Sequence, residues 1–155
     1  MKKIITLIFL LIFTSQCGFK VIKQSELQDF YISEIETIGD RKINFDLKNK
    51  LSFMKKVGNK KRLRLNIITT KTNSIKEKNS SNQITKYLMS INLKVTVLED
   101  SNIIKTFIFD QQTDYKVGNQ YSQTINNGNT AIKNLTNILA SRIVKELSLL
   151  KINDL

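Results

Sequence analysis

Histidine, proline and tryptophan are all missing from this chain, and cysteine occurs once in 155 residues. Without histidine the commonest general base and metal ligand is gone. A single thiol cannot close an intramolecular disulfide. The five glycines are scattered, so no glycine-rich loop is available to cradle a phosphate. The apolar run Ile4 to Phe13 spans ten residues, whereas a membrane-crossing helix needs about 20. Basic residues are not interleaved with aromatics as in a nucleic-acid reader. Acids are few: 13 against 25 Lys and Arg, for a net charge of +12. The acid pairs Glu34 with Glu36 and Asp110 with Asp114 are the one remaining route to catalysis, since two carboxylates can hydrolyse a glycoside. Such pairs are far more often solvated surface. The expectation is therefore a protein that is not an enzyme, with no catalytic residues, cofactor or metal.

What is present begins with the order of an export signal: positive "MKK", an apolar stretch, then small polar Thr14 and Ser15. Cys17 follows where the cleaved chain would start, and the residues before it resemble a bacterial lipobox. They depart from that pattern at Thr14, where it has Leu, and at Gln16, where it has Gly, Ala or Ser. On this reading the Cys17 thiol takes a diacylglycerol and residues 1–16 are removed. The plainer alternatives are an ordinary secretory signal cut near Ser15, or a small buried thiol. Residues 17–29 then form a lipidated N-terminus and tether, 30–150 a single domain, and 151–155 a C-terminal tail. The 139 residues left after cleavage suffice for one core.

Lys outnumbers Arg 21 to 4, and Ile and Asn abound, which is what A+T-rich coding produces. The excess cations create a field regardless of origin. Because an exported, anchored protein does not meet nucleic acid, envelope polyanions are the expected counter-charges. Residues 41–64 hold ten cations and one acid, Asp46. Within them Lys55, Lys56, Lys60, Lys61, Arg62 and Arg64 are candidates for contact with anionic headgroups near the anchor. Cations at a helix C-terminus and a solvated turn are the plainer account.

Hydrophobic spacing predicts the elements. Phe30 to Ile38 reads as a strand bounded by Gly39, with Asp40 as N-cap of a helix whose stripe is Ile43, Leu47, Leu51 and Met54. Gly58 and Asn59 end that helix. Leu63, Leu65 and Ile67 alternate with Arg62, Arg64 and Asn66 in a second strand. Residues 72–83, rich in Ser and Asn, read as a loop or hairpin tip. Met89, Ile91, Leu93, Val95 and Val97 mark a third strand, "EDSN" a turn, and Ile103 onward a fourth. A C-terminal helix from about Ser122 presents Ala131, Leu135, Ile138, Leu139, Arg142, Ile143 and Leu147, with Gly128 as a possible true start. The order β-α-β-β-β-α predicts an α+β two-layer sandwich, with two helices packed on one face of a four-stranded mixed sheet. In that topology Lys71, Lys76, Lys78 and Lys116 share one rim, and the tether enters at the opposite end.

"CGFK", "ITKYLMSINLKVTVLED", "FDQQTDYKVGNQYS" and "LTNILASRIVKELSLL", in this order and spacing, resemble the LPS-assembly lipoprotein family. This family is the small plug subunit of the outer-membrane lipopolysaccharide translocon. Cys17, Gly18 and Phe19, Tyr87 at the start of the third strand, and the Leu-rich end of the last helix carry the likeness. The resemblance implies a lipid-anchored protein at the outer membrane, facing the periplasm and the lumen of a large β-barrel partner. It implies help in assembling that barrel and binding of lipopolysaccharide for insertion into the outer leaflet. Aligned on Tyr87, the regions through which the family binds lipopolysaccharide by basic residues hold Lys76, Lys78 and Lys116 here, while a basic position of the family falls near Ser80, so that the charge is displaced. The alternative is a free-standing envelope lipoprotein acting as a lipid carrier or transporter accessory.

Overall fold

The computed structural model describes residues 30–55 and 61–150. The signal segment 1–16, Cys17 and the tether 17–29, Lys56 and Lys60, the helix stop at Gly58 and Asn59, and the tail 151–155 lie outside the described residues, as does the Lys55 side chain.

The first strand, β1 (Phe30–Gly39), lies parallel to β2 (Lys61–Lys78) at one edge of a four-stranded sheet. Its apolar residues alternate imperfectly because the register slips between Ile32 and Glu34. At the bulge the Ser33 hydroxyl donates to the Leu63 carbonyl oxygen at 3.0 Å. The extra residue lets Phe30, Ile32 and Ile35 all reach the core.

Asp40 caps α1 (Arg41–Leu51) as its type and position predict: Oδ1 accepts from the backbone N–H of Lys42 and of Ile43, each at 3.1 Å. Its Oδ2 meets the Lys71 ammonium at 2.5 Å. Partial burial pushes this carboxyl's pKa up, but the Lys71 hydrogen bond, the two N–H donors and the Lys71 charge outweigh it and hold the group below the ordinary aspartate range. A depressed folded-state pKa adds stability that is present above the unfolded value and lost as pH falls through the folded one. Replacing Asp40 with Ala should cost about 1–2 kcal/mol. Asp40→Asn keeps the cap acceptor and should cost less. In urea titrations the wild type should lose stability below about pH 4, and the Asn variant should lose measurably less. Parallel pH curves for the two would mean that the Lys71 pair contributes nothing.

The helical stripe Ile43, Leu47 and Leu51 is buried, and Met54 continues it in the 3-10 turn Ser52–Lys55. Thr69 donates to Asn44 Oδ1 at 2.6 Å, a buried polar pair tying α1 to β2. The sheet continues antiparallel through β3 (Ile84–Glu99) and β4 (Asn102–Lys116), in the spatial order β1-β2-β3-β4. The third strand buries Met89, Ile91, Leu93, Val95 and Val97, its predicted inner face. α2 (Tyr121–Ser148) packs on β3 and β4 and lies beside α1, which covers β1 and β2. The fold is thus the α+β two-layer arrangement that the order of elements predicts.

Three expectations fail locally. Residues 72–78 are strand rather than loop; they pair with β3 from Thr72 opposite Ser90 to Lys78 opposite Ile84. They extend past the helices, so both faces are exposed and no burial pattern marks them. Only residues 79–83 turn, held by Asn79 Oδ1, which accepts from the N–H of Ser81 and of Gln83 at 3.0 and 2.9 Å. Gly128 does not start the last helix but sits in its second turn, buried; a Cβ there would lie 3.2 Å from the Tyr115 ring. Ile138 and Arg142 are exposed, and Ile132, Thr136 and Ala140 take the buried positions instead.

Candidate anion-binding rim

Strand pairing decides which lysines meet. Lys86 lies opposite both Glu77 on β2 and Lys116 on β4, and Lys78 lies opposite Ile84. Lys76, Lys78 and Lys116 therefore do share the far end of the sheet, as predicted, and Lys86 joins them. Lys71 does not. It sits opposite Ile91, seven residues before Lys78, about 23 Å along the strand, with its ammonium on Asp40.

Two acids enter the same rim. Lys76 Nζ is 3.3 Å from Asp114 Oδ2, reaching across β3 to β4, and Lys86 Nζ is 2.6 Å from Glu77 Oε2. Hydrogen bonding and charge from Lys76 hold the Asp114 carboxyl below its ordinary pKa. Lys86 does the same to Glu77 and is itself raised in return. Both pairs lie at the solvent-facing surface, so they neutralise charge without anchoring the fold. Lys78 donates to Asn82 Oδ1 at 3.0 Å, a neutral partner that leaves its charge uncompensated. Among the described residues the Lys116 ammonium has no ion-pair partner. The rim thus holds four ammoniums against two carboxylates. Lys86, Glu77 and Asp114 escape a reading by charge clusters because their meeting depends on cross-strand register.

On the opposite face of the same strands Ile75, Tyr87 and Tyr115 form a cross-strand row. Ile75 is half exposed, the two tyrosine rings stack with centroids 5.5 Å apart, and Asn73 Nδ2 donates to Tyr115 Oη at 2.9 Å. The rim is two-sided: cations lie on one side of the ribbon, and on the other Ile75 is exposed while Tyr87 and Tyr115 are half-buried, Tyr115 packing against the core and Gly128 of α2. Asn127 Nδ2 donates to the Lys116 carbonyl oxygen at 2.9 Å, fixing the end of β4 to the first turns of α2.

The other described candidate cations, Lys61, Arg62 and Arg64, stand at the opposite end of β2 from the rim. Lys61 Nζ is 3.7 Å from Glu99 Oε1, and the Arg64 guanidinium donates to the Asp100 carbonyl oxygen across the β3–β4 hairpin. Arg62 and Arg64 line an open hollow of about 250 Å³ with Asp100 and Ser101. Of the acid pairs, Glu34 and Glu36 are exposed beside Arg64 and Asn66. Asp110 and Asp114 lie about 13 Å apart along β4, beyond the roughly 5–9.5 Å spacing of glycosidase carboxylates, and Asp114 is already held by Lys76.

No protein-family model matches this chain, and no curated protein matches it in sequence. Its shape does match solved structures. Rare lipoprotein B from Shewanella oneidensis aligns with a TM-score of 0.58 at 11% identity, over 77% of this chain and 97% of that one. This chain shares the fold of rare lipoprotein B. Lipoprotein B from Nitrosomonas europaea aligns at TM-score 0.60 and 15% identity, over 84% and 90% of the two chains. A minor lipoprotein from Acinetobacter baumannii gives 0.57 and 14%, over 76% and 90%. At these identities the likeness is one of fold.

Proposed function

We propose that this chain is a lipid-anchored outer-membrane lipoprotein of the lipopolysaccharide translocon, seated as a plug in a large β-barrel partner and assisting that barrel's assembly. Cys17 carries the lipid, and the rim of Lys76, Lys78 and Lys116, extended by Lys86, receives the phosphates of lipopolysaccharide. The observation that carries the reading is the two-sided rim: ammoniums set over one face of an exposed β-ribbon and Ile75, Tyr87 and Tyr115 over the other. A phosphorylated glycolipid presents the same two chemistries. The fold shared with lipoproteins supports the envelope assignment.

The exposed ion pairs give the rim a means of exchange. Lys76 can leave Asp114 for a phosphate oxygen at little cost, since a solvent-exposed ion pair is weak. A doubly charged phosphate, meeting Lys78 and Lys116 as well, forms several charge-assisted hydrogen bonds at once. Contacts of this kind compete with the divalent ions that bridge lipid phosphates, and salt weakens them. Seating in a barrel rests on buried area instead, with the acyl chains adding membrane retention.

The test joins both halves of the reading. Tagged protein extracted in detergent should bring down a β-barrel several times its size, together with lipopolysaccharide. The combined variant Lys76→Asp, Lys78→Asp and Lys116→Asp should keep the barrel but lose roughly tenfold in lipopolysaccharide affinity at physiological salt. Unchanged lipopolysaccharide binding removes the rim from the reading. Recovery without a barrel favours the free-standing carrier.

A further inference from the structure

The two helices enclose a second basic site that the rim does not explain. Lys42, Asp46 and Lys50 recur every four residues along one side of α1. They face Asn126, Asn129, Thr130 and Lys133 of α2 across a groove of about 460 Å³. Lys42 Nζ already donates to Asn129 Oδ1 at 3.1 Å, crossing the groove at one end. Asp46 stands at the helical spacing that permits a pair with either lysine, yet among the described residues it forms no ion pair with them. Lys50 and Lys133 likewise have no ion-pair partner among the described residues. One helical turn beyond Lys133, on the same side of α2, Asn137 Oδ1 is buried without a hydrogen-bond partner.

We propose that this groove binds an acidic saccharide, a sugar or polyol bearing a phosphate or carboxylate group. The three ammoniums select the acid. The Asn126 and Asn129 amides, the Thr130 hydroxyl and the Asp46 carboxylate are the donors and acceptors that hold sugar hydroxyls, and a carboxylate among lysines would only oppose a bare anion. A volume of about 460 Å³ is that of a small-ligand cleft. The site is separate from the rim ammoniums Lys76 and Lys78, which stand on the hairpin, whereas the groove lies in the helix layer. The assignment does not rest on the translocon reading.

Glucosamine 6-phosphate titrated into the full-length protein should shift the side-chain amide resonances of Asn126 and Asn129 saturably. Inorganic phosphate should bind less tightly, and neutral N-acetylglucosamine should not bind. The pair Lys50→Gln and Lys133→Gln should lose roughly tenfold in affinity, while Lys105→Gln with Lys145→Gln, exposed elsewhere, should match the wild type. The variant with Lys76 and Lys78 reversed should also bind glucosamine 6-phosphate normally, so that failure of one site is told apart from failure of the other. Phosphatidylcholine vesicles doped with phosphatidylinositol give the membrane-borne arm. Binding to both vesicle and free sugar supports a groove open to lipid headgroups, and binding to the free sugar alone supports a soluble glycan ligand. Equal affinity for inorganic phosphate overturns the saccharide assignment, and equal losses in the control pair overturn the site.

Discussion

Gly39→Ala should destabilise the domain by about 3 kcal/mol or more, lowering the urea midpoint by roughly 1–3 M. Gly39 ends β1 opposite Thr69 with φ near +109°, a conformation side chains rarely adopt. A Cβ there would lie 1.9 Å from the Thr69 carbonyl oxygen, which is backbone and cannot swing aside. The chain must therefore part β1 from β2 at this point. Three further interactions start within five residues of the break: the Asp40 cap, the Lys71 pair on that carboxylate, and the buried Asn44–Thr69 hydrogen bond. Gly39→Asn separates the causes. Asparagine tolerates positive φ better than alanine, but its Cβ meets the same oxygen, so it should rescue little. Full rescue would place the whole effect in the dihedral.

Gly39 also shows how far the sequence could be read. A glycine after a β-branched run marks a strand end whatever its φ, so the boundary was legible and its cause was not. The inner face of β3 was legible because one side of a central strand is wholly buried and its residues alternate without a break. β1 was blurred by the bulge at Ser33, which shifts the buried positions by one residue. The outer half of β2 was invisible because residues 72–78 bury neither face, and periodicity records burial, not extension. The outer sheet face, which carries Arg62, Arg64, Asn66, Lys94 and Thr96, is not uniformly polar. Ile38, Ile68 and Ile108 stand exposed in one cross-strand row around Lys94.

For the candidate site, the grouping of Lys76, Lys78 and Lys116 followed from strand directions alone, since a meander brings alternate strand ends together. Their electrostatic state did not. Whether Lys76 is free or paired depends on Asp114, which sits 38 positions away in sequence and meets it only through the β3–β4 register. The helix-layer groove was hidden for the same reason. Lys42, Asp46 and Lys50 read singly as a solvated helical face, and Asn126, Asn129, Thr130 and Lys133 as a polar start to another. Only packing of the two helices side by side turns those faces into one concave surface.

Leu139→Ala should cost about 2–5 kcal/mol, whereas Ile138→Ala, one residue earlier, should stay within about 0.5 kcal/mol of the wild type. Both residues fall within the apolar stripe that spacing alone assigns to the inner side of α2. The helix turns about 100° per residue, and its buried stripe runs through the pairs Ala131–Ile132, Leu135–Thr136 and Leu139–Ala140, which turns Ile138 away from the sheet. Leu139 is fully buried, in the same core as Leu135 and Ile143, while Ile138 remains 45% exposed. Truncating Leu139 removes buried methyl groups and leaves a cavity between helix and sheet that close-packed neighbours cannot refill. Truncating Ile138 removes a side chain that water already reaches at the surface, and alanine's higher helix propensity offsets part of the loss. Thermal or urea unfolding of the two variants measures the difference directly. Equal losses would mean that Ile138 is covered in solution, placing a partner or a second surface of this chain over the outer side of α2.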